Sequence, residues 1–294
     1  MHIALNTALF ICIFILGASV GNILCLVAQW LPAKKGPLFS KQYCPHCHHE
    51  LTILDTVPIL SYFLLRGSCR YCGKCISPRL LLIECLSGGL ALLCYLAFLP
   101  PGSFLLSVDN TQFFGVSAQD VGLVATWVPF ELPAYYGAFI AAALCSLVLC
   151  LLGLVTLIDT ATMEIPNALS LWLALLGIVG FAFGPTAALP WTDHLIGAFS
   201  VSVPMLLLTL IIKGSFGLGD VKLMAAAGLF LGWQLAVVAT LIGIFLGGIY
   251  GIYVLAMGKK GRKEHFAFGP ALCAGIVFSL FMGQQVITWY AGFF

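Results

Sequence analysis

Two aspartates sit where the surrounding sequence gives a lone charge no obvious reason to be. Asp159 closes an apolar run in Leu157-Ile158-Asp159-Thr160, and Asp220 ends Gly217-Leu218-Gly219-Asp220, ahead of Val221-Lys222. A carboxylate carried into a membrane segment costs about 3 kcal/mol on insertion scales, so two of them call for a use or a partner. Facing carboxyls in a low-dielectric cavity cannot both ionise and therefore share a proton. One can then draw a proton from water while the other polarises a peptide carbonyl. Such hydrolysis needs neither a metal nor a nucleophilic side chain, and the chain shows no serine–histidine constellation. Gly217 and Gly219 permit unusual dihedrals and close helix approach beside the acid, with Lys222 completing the loop. For each acid alone a plainer reading competes: Asp159 marks a loop, and Asp220 caps a helix. An ion pair between Asp220 and Lys222 is disfavoured, because residues two apart do not face each other on a helix. Glu84 and Glu164 read as structural or interfacial.

The second group with chemistry in it is the cysteines, twelve in all. Cys12, Cys25, Cys85, Cys94, Cys145, Cys150 and Cys273 stand singly in apolar stretches and read as small buried hydrophobes. The other five fall in segment 31–79, as Cys44-Pro-His-Cys47, Cys69-Arg-Tyr-Cys72 and Cys75. Two CxxC pairs with 21 residues between them have the spacing of a four-thiolate zinc site. Cys75 is a substitute ligand, and His46, His48 and His49 rank behind the thiols. A segment this short cannot fold on a core of its own, so a metal staple has a physical purpose. Four thiolates leave no open coordination position, which makes the site structural. A disulfide framework is the competing reading, disfavoured if the segment faces the reducing cytoplasm.

The elements that must position these residues are membrane helices. The chain of 294 residues is 61% hydrophobic and 8% charged, against about 25% charged in soluble domains. The net charge of +2 and the lack of a basic stripe argue against a nucleic-acid partner. About 20 apolar residues cross the hydrocarbon core. The stretches 3–30, 80–99, 134–158, 166–184, 194–212, 221–232, 234–257 and 268–290 qualify, the sixth being short enough to be tilted, half-buried or re-entrant. The first lacks a clear cleavage site and reads as a spanning helix of the mature protein. With eight crossings and an external N-terminus, all 13 Lys and Arg residues fall on the cytoplasmic side. Loops 100–133 and 185–193 hold Asp109, Asp120, Glu131 and Asp193 but no basic residue. The expected fold is thus an all-α polytopic membrane protein of about eight transmembrane helices, with a small cytoplasmic zinc-binding segment between helices 1 and 2. Residues 1–99 form an N-terminal unit, 100–133 a periplasmic loop, and 134–294 a six-helix unit holding both aspartates at its cytoplasmic rim. A transporter using the acids as a proton relay is a third class of function. It is disfavoured because both acids lie at one rim and the paired broken helices of transporter repeats are missing.

Several spaced motifs in order resemble the type IV prepilin peptidases, which are GxGD-type membrane aspartyl proteases. Gly217-Leu-Gly-Asp220-Val-Lys222 is similar to the GxGD signature, Asp159 with Ile165-Pro166-Asn167 to the first aspartate block, and Phe268-Gly269-Pro270 to the last-helix motif. In the N-terminal half the resemblance rests on Gly17-Ala-Ser19-Val-Gly21-Asn22, the CxxC pairs, Asp55 with Pro58, Ser61-Tyr62, and Ser77-Pro-Arg79 leading to Glu84. It implies a bacterial inner-membrane enzyme that cuts the basic leader from type IV prepilins or type II secretion pseudopilins after a glycine, on the cytoplasmic side. Asp159 and Asp220 would be the catalytic dyad. Members with the cysteine segment also methylate the new N-terminal residue from S-adenosylmethionine, so the resemblance implies a bifunctional enzyme. The alternative is a peptidase whose cysteine segment serves only structure or substrate binding. Cys75 stands where relatives often have proline, and loop 100–133 is longer than usual. No glycine-rich fingerprint marks an S-adenosylmethionine site; Asn22, Asp55 and Glu84 are candidates by position alone.

Overall fold

The computed structural model describes residues 9–23, 47, 49–50, 52, 60–65, 67–74, 78–98, 134–187, 189–212, 216–256 and 267–293. Among them all regular structure is helical, apart from isolated bridge residues Glu50 and Ser68. Cys25, Cys44, Cys75, His46, His48, Asp55 and loop 100–133 lie outside the described residues. The chain divides into two compact units, Met1–Leu96 and Ala97–Phe294.

The first unit holds α1 (Leu9–Ile23), α2 (Leu60–Leu64) and α3 (Pro78–Phe98). Lipid offers no hydrophobic force to drive helices together, so close contact depends on small residues. Gly17 and Gly21, four apart on α1, meet α3 at Ser87 and Ala91, while Gly88 of α3 lies against Phe14. Phe10 packs edge-on to Tyr95 at 6.1 Å between centroids, so the pair runs antiparallel.

The second unit contains α4 (Ala134–Thr162), α5 (Asn167–Phe183), α6 (Trp191–Ile211), α7 (Leu218–Leu231), α8 (Trp233–Ala256) and α9 (Gly269–Ala291). Four stretches are long and apolar enough to cross a membrane: Phe139–Thr162, Trp191–Ile211, Trp233–Val254 and Gly269–Ala291. Large apolar side chains such as Leu210, Ile211, Phe245 and Ile252 point outward, as a lipid solvent requires and water would not.

Two helix ends differ from the expectation by composition. The apolar run stops at Asp159, but α4 continues to Thr162. The hydroxyls of Thr156, Thr160 and Thr162 donate to the carbonyls of Leu152, Thr156 and Ile158, so these polar residues are accommodated within the helix. Between the sixth and seventh segments the divider is a single residue, Gly232, at φ +81. A side chain disfavours that left-handed backbone; glycine does not.

Helix α7 is the centre of the unit. It has 14 residues, or about 21 Å of helix against a hydrocarbon core of about 30 Å. It packs against α5, α6, α8 and α9, and is apolar nearly all round. Its backbone touches that of α6 where Gly228 meets Gly197, a crossing at which a Cβ on either would strike the other's carbonyl.

Candidate active site

Asp159 lies in the last turn of α4 and is buried, with 5% of its surface exposed. Met163 ends the helix at φ +55, the only non-glycine residue with positive φ among the described residues, and its N–H still donates to Asp159 O at 2.8 Å. Pro166 then starts α5. The Asp159 carboxylate is aimed at the first residue of α9, where Gly269 N–H donates to Oδ2 at 3.0 Å. A Cβ built on Gly269 would sit 2.6 Å from that oxygen, so the hydrogen bond depends on glycine.

Asp220 occupies the third position of α7 and is 8% exposed. It is not the cap residue; Gly217 takes that position, in an extended conformation at φ −73 and ψ 143. The Asp220 side chain reaches back so that Gly217 N–H donates to Oδ2 at 3.2 Å, satisfying one of the orphan donors of the helix start. The capping reading of Asp220 is therefore half right, and it does not exclude chemistry. A carboxylate has two oxygens, and such a bond occupies only one of them.

Asp159 lies within electrostatic reach of Asp220, and the Cys273 thiol within reach of both. The three connections that carry the acids' surroundings also converge. Phe216 and Phe268 pack at 5.6 Å between ring centroids, joining the approach to α7 with the approach to α9. Gly219 is seated on Ile165, with a Cβ position 3.0 Å from the isoleucine's. Lys222 Nζ donates to Asn167 Oδ1 at 2.8 Å, tying α7 to the start of α5. Lys222 is exposed, so this clamp lies outside the buried pair. Each carboxylate thus has one oxygen bound by a main-chain donor, that of Asp159 from the start of α9 and that of Asp220 from the cap of its own helix.

Sequence reasoning missed three contributors. Gly269 was present only as part of a motif with no role attached. Thr156, one turn before Asp159 on α4, and the buried Cys273, one turn beyond Gly269 on α9, lie near one another. Cys94, Cys145, Cys150 and Cys273 are buried as small hydrophobes should be, but Cys12 and Cys85 are exposed. Glu84 is 4% exposed and Asn22 half-buried, both in the first unit. Glu164 is exposed.

The described cysteines of the polar segment come together. The Sγ atoms of Cys47, Cys69 and Cys72 all lie within 4.8 Å of one another. A tetrahedral zinc with bonds of about 2.3 Å holds its thiolates about 3.8 Å apart, so the donor set and its spacing fit such an ion. The turn is made locally: Cys69 N–H donates to Lys74 O and Gly73 N–H to Cys69 O, both at 2.9 Å, with Gly73 at φ +68. His49 stacks on Tyr71 beside this turn at 3.7 Å.

Known proteins share this arrangement of sequence. A family model described as the bacterial peptidase A24 N-terminal domain matches residues 15–98, and one described as the type IV leader peptidase family matches residues 145–252. A prepilin leader peptidase/N-methyltransferase of Burkholderia pseudomallei (strain K96243) is 31% identical over 258 residues, covering 86% of this chain and 71% of that protein. One from Aeromonas salmonicida is 29% identical, covering 86% of this chain and 75% of that protein. One from Bacillus subtilis (strain 168) is 24% identical over 278 residues, 95% of this chain and 96% of that protein. No solved structure matches. With both family models matching in order and the relatives aligning across both units, the chain belongs to the prepilin leader peptidase/N-methyltransferase family.

Proposed function

We propose that this enzyme removes the basic leader of type IV prepilins or type II secretion pseudopilins, with Asp159 and Asp220 as its catalytic dyad. One observation carries the assignment: both aspartates are buried, each has one carboxylate oxygen held by a glycine N–H, and the two lie within electrostatic reach of one another. The ionised member of the pair takes a proton from water, and the resulting hydroxide attacks the scissile carbonyl carbon. The protonated member donates to the carbonyl oxygen as it gains charge. Collapse of the tetrahedral intermediate breaks the C–N bond, with a proton passing to the leaving amine. The main-chain donors orient the acids, and burial excludes bulk water from the intermediate.

The charge distribution supports a particular setting. In a reading with eight crossings, the dyad, the cysteine segment and every basic side chain would face the cytoplasm at the bacterial inner membrane. Helix α7 is too short for a full span, which suits an acid at its start lying below the membrane surface but within reach of a substrate from the cytoplasm. Residues 1–99 would be the methyltransferase part and 134–294 the peptidase. In the first part Cys44, Cys47, Cys69 and Cys72 would hold a structural zinc. S-adenosylmethionine would supply the methyl group for the new N-terminal residue.

The test is to incubate the purified protein with a prepilin and S-adenosylmethionine and to weigh the product. The expected product is lighter by the leader and heavier by one methyl group. A product without the methyl group removes the second activity and leaves a peptidase, while intact prepilin overturns the proposal.

A further inference from the structure

Helix α7 carries Asp220 at one end, and its other end stops inside the bundle, where each terminal carbonyl needs a donor. An α-helix leaves its last four carbonyls without intrahelical partners, and in a membrane water is not there to supply them. Three successive carbonyls of α7 are met in three different ways. Gly232 N–H donates to Gly228 O at 2.9 Å. His194, in the first turn of α6, places Nδ1 2.9 Å from Leu229 O. Thr186, in the connection from α5, donates its hydroxyl to Phe230 O at 2.8 Å. His194 Nε2 lies 3.2 Å from the main-chain carbonyl of Thr186, which accepts from Leu189 N–H at 2.9 Å, and a neutral imidazole donates through one of its two nitrogens only. Both are buried, Thr186 at 7% and His194 at 2% exposure, and Phe181 packs edge-on to the imidazole at 5.6 Å.

Two buried polar side chains from different elements would be costly here unless paired, and both pair with the end of the same helix. Resting on the proposed dyad, we propose that Thr186 and His194 form a polar anchor that fixes the axial position of α7, and so the height of Asp220 against Asp159. They are positioning residues. Leu229 is nine residues beyond Asp220, about 14 Å along the axis, and touches nothing that reacts. A displacement of about 1 Å at a catalytic group lowers rates by about 10²-fold.

The experiment compares Thr186→Val, which keeps the shape and loses the hydroxyl, with Thr186→Ser, which keeps the hydroxyl, alongside His194→Phe and the double variant Thr186→Val/His194→Phe. Leader removal is followed at varied prepilin concentration in purified full-length protein, with amide hydrogen exchange over residues 218–224 as the second readout. Thr186→Val and His194→Phe should each lower kcat three- to tenfold with KM unchanged and raise exchange in the first turns of α7. Thr186→Ser should stay within twofold of the parent in both readouts. The double variant should lose less than the product of the single losses, because both act on one helix end. Parental kcat and exchange in Thr186→Val, or equal damage in Thr186→Ser, overturns the anchor. If the unmodified protein cleaves no prepilin, the exchange data still decide the anchor, and only the functional reading fails.

Discussion

Asp159 and Asp220 are each oriented by one main-chain N–H, and in both cases a glycine supplies it. The two glycines are not equally replaceable. At Gly269 a methyl group would lie 2.6 Å from the Asp159 carboxylate, whereas at Gly217 it would lie 3.2 Å from that of Asp220, beside a backbone any residue can adopt. Gly269→Ala should therefore lower the rate of leader removal by about 10²-fold, and Gly217→Ala by about tenfold or less; steady-state kcat for the two checks the order. Met163 holds a left-handed backbone that favours glycine, so Met163→Gly should stabilise the purified protein by about 1 kcal/mol, seen as a higher Tm. The two acids were legible in the sequence because their apolar neighbours left them conspicuous. Gly269 was not, since a partner 110 residues away leaves no mark on local composition.

At the scale of elements, α7 is held by its neighbours on every side, and two of its restraints can be tested separately. The bond from Lys222 to Asn167 ties its exposed first turn to α5. Lys222→Met and Asn167→Ala should each slow cleavage a few-fold, and a double-mutant cycle should give a coupling of about 1 kcal/mol. Parental rates in both would leave the clamp without a role. The Gly228–Gly197 crossing has no room for a side chain, so Gly228→Val should lower stability by about 1–3 kcal/mol, seen as a lower Tm. The length of the apolar run correctly marked α7 as too short for an ordinary span. The ends of α4 and α7 were misjudged because hydroxyls bonding back to carbonyls, and an acid bonding to its own cap residue, let polar residues continue a helix that composition alone would stop.

Across the whole molecule, the helices of membrane length among the described residues were legible from composition, because a charged fraction of 8% suits lipid rather than water as the solvent for most of the chain. The convergence of connections 163–166, 216–217 and 268 was not, since periodicity says nothing of which helices are neighbours. The paired CxxC spacing predicted a cluster of four thiolates; Cys47, Cys69 and Cys72 lie together, and Cys44 is outside the described residues. Purified protein should contain about one zinc per chain, with Cys69→Ser and Cys47→Ser near zero by elemental analysis. Unchanged zinc in both variants would move the metal elsewhere.

If the two buried carboxyls act as one catalytic unit, replacing either by the nearly isosteric amide must stop the reaction. Asp159→Asn and Asp220→Asn should each insert normally into membranes and each abolish removal of a prepilin leader. Leader removal at the parental rate by either variant would contradict the dyad.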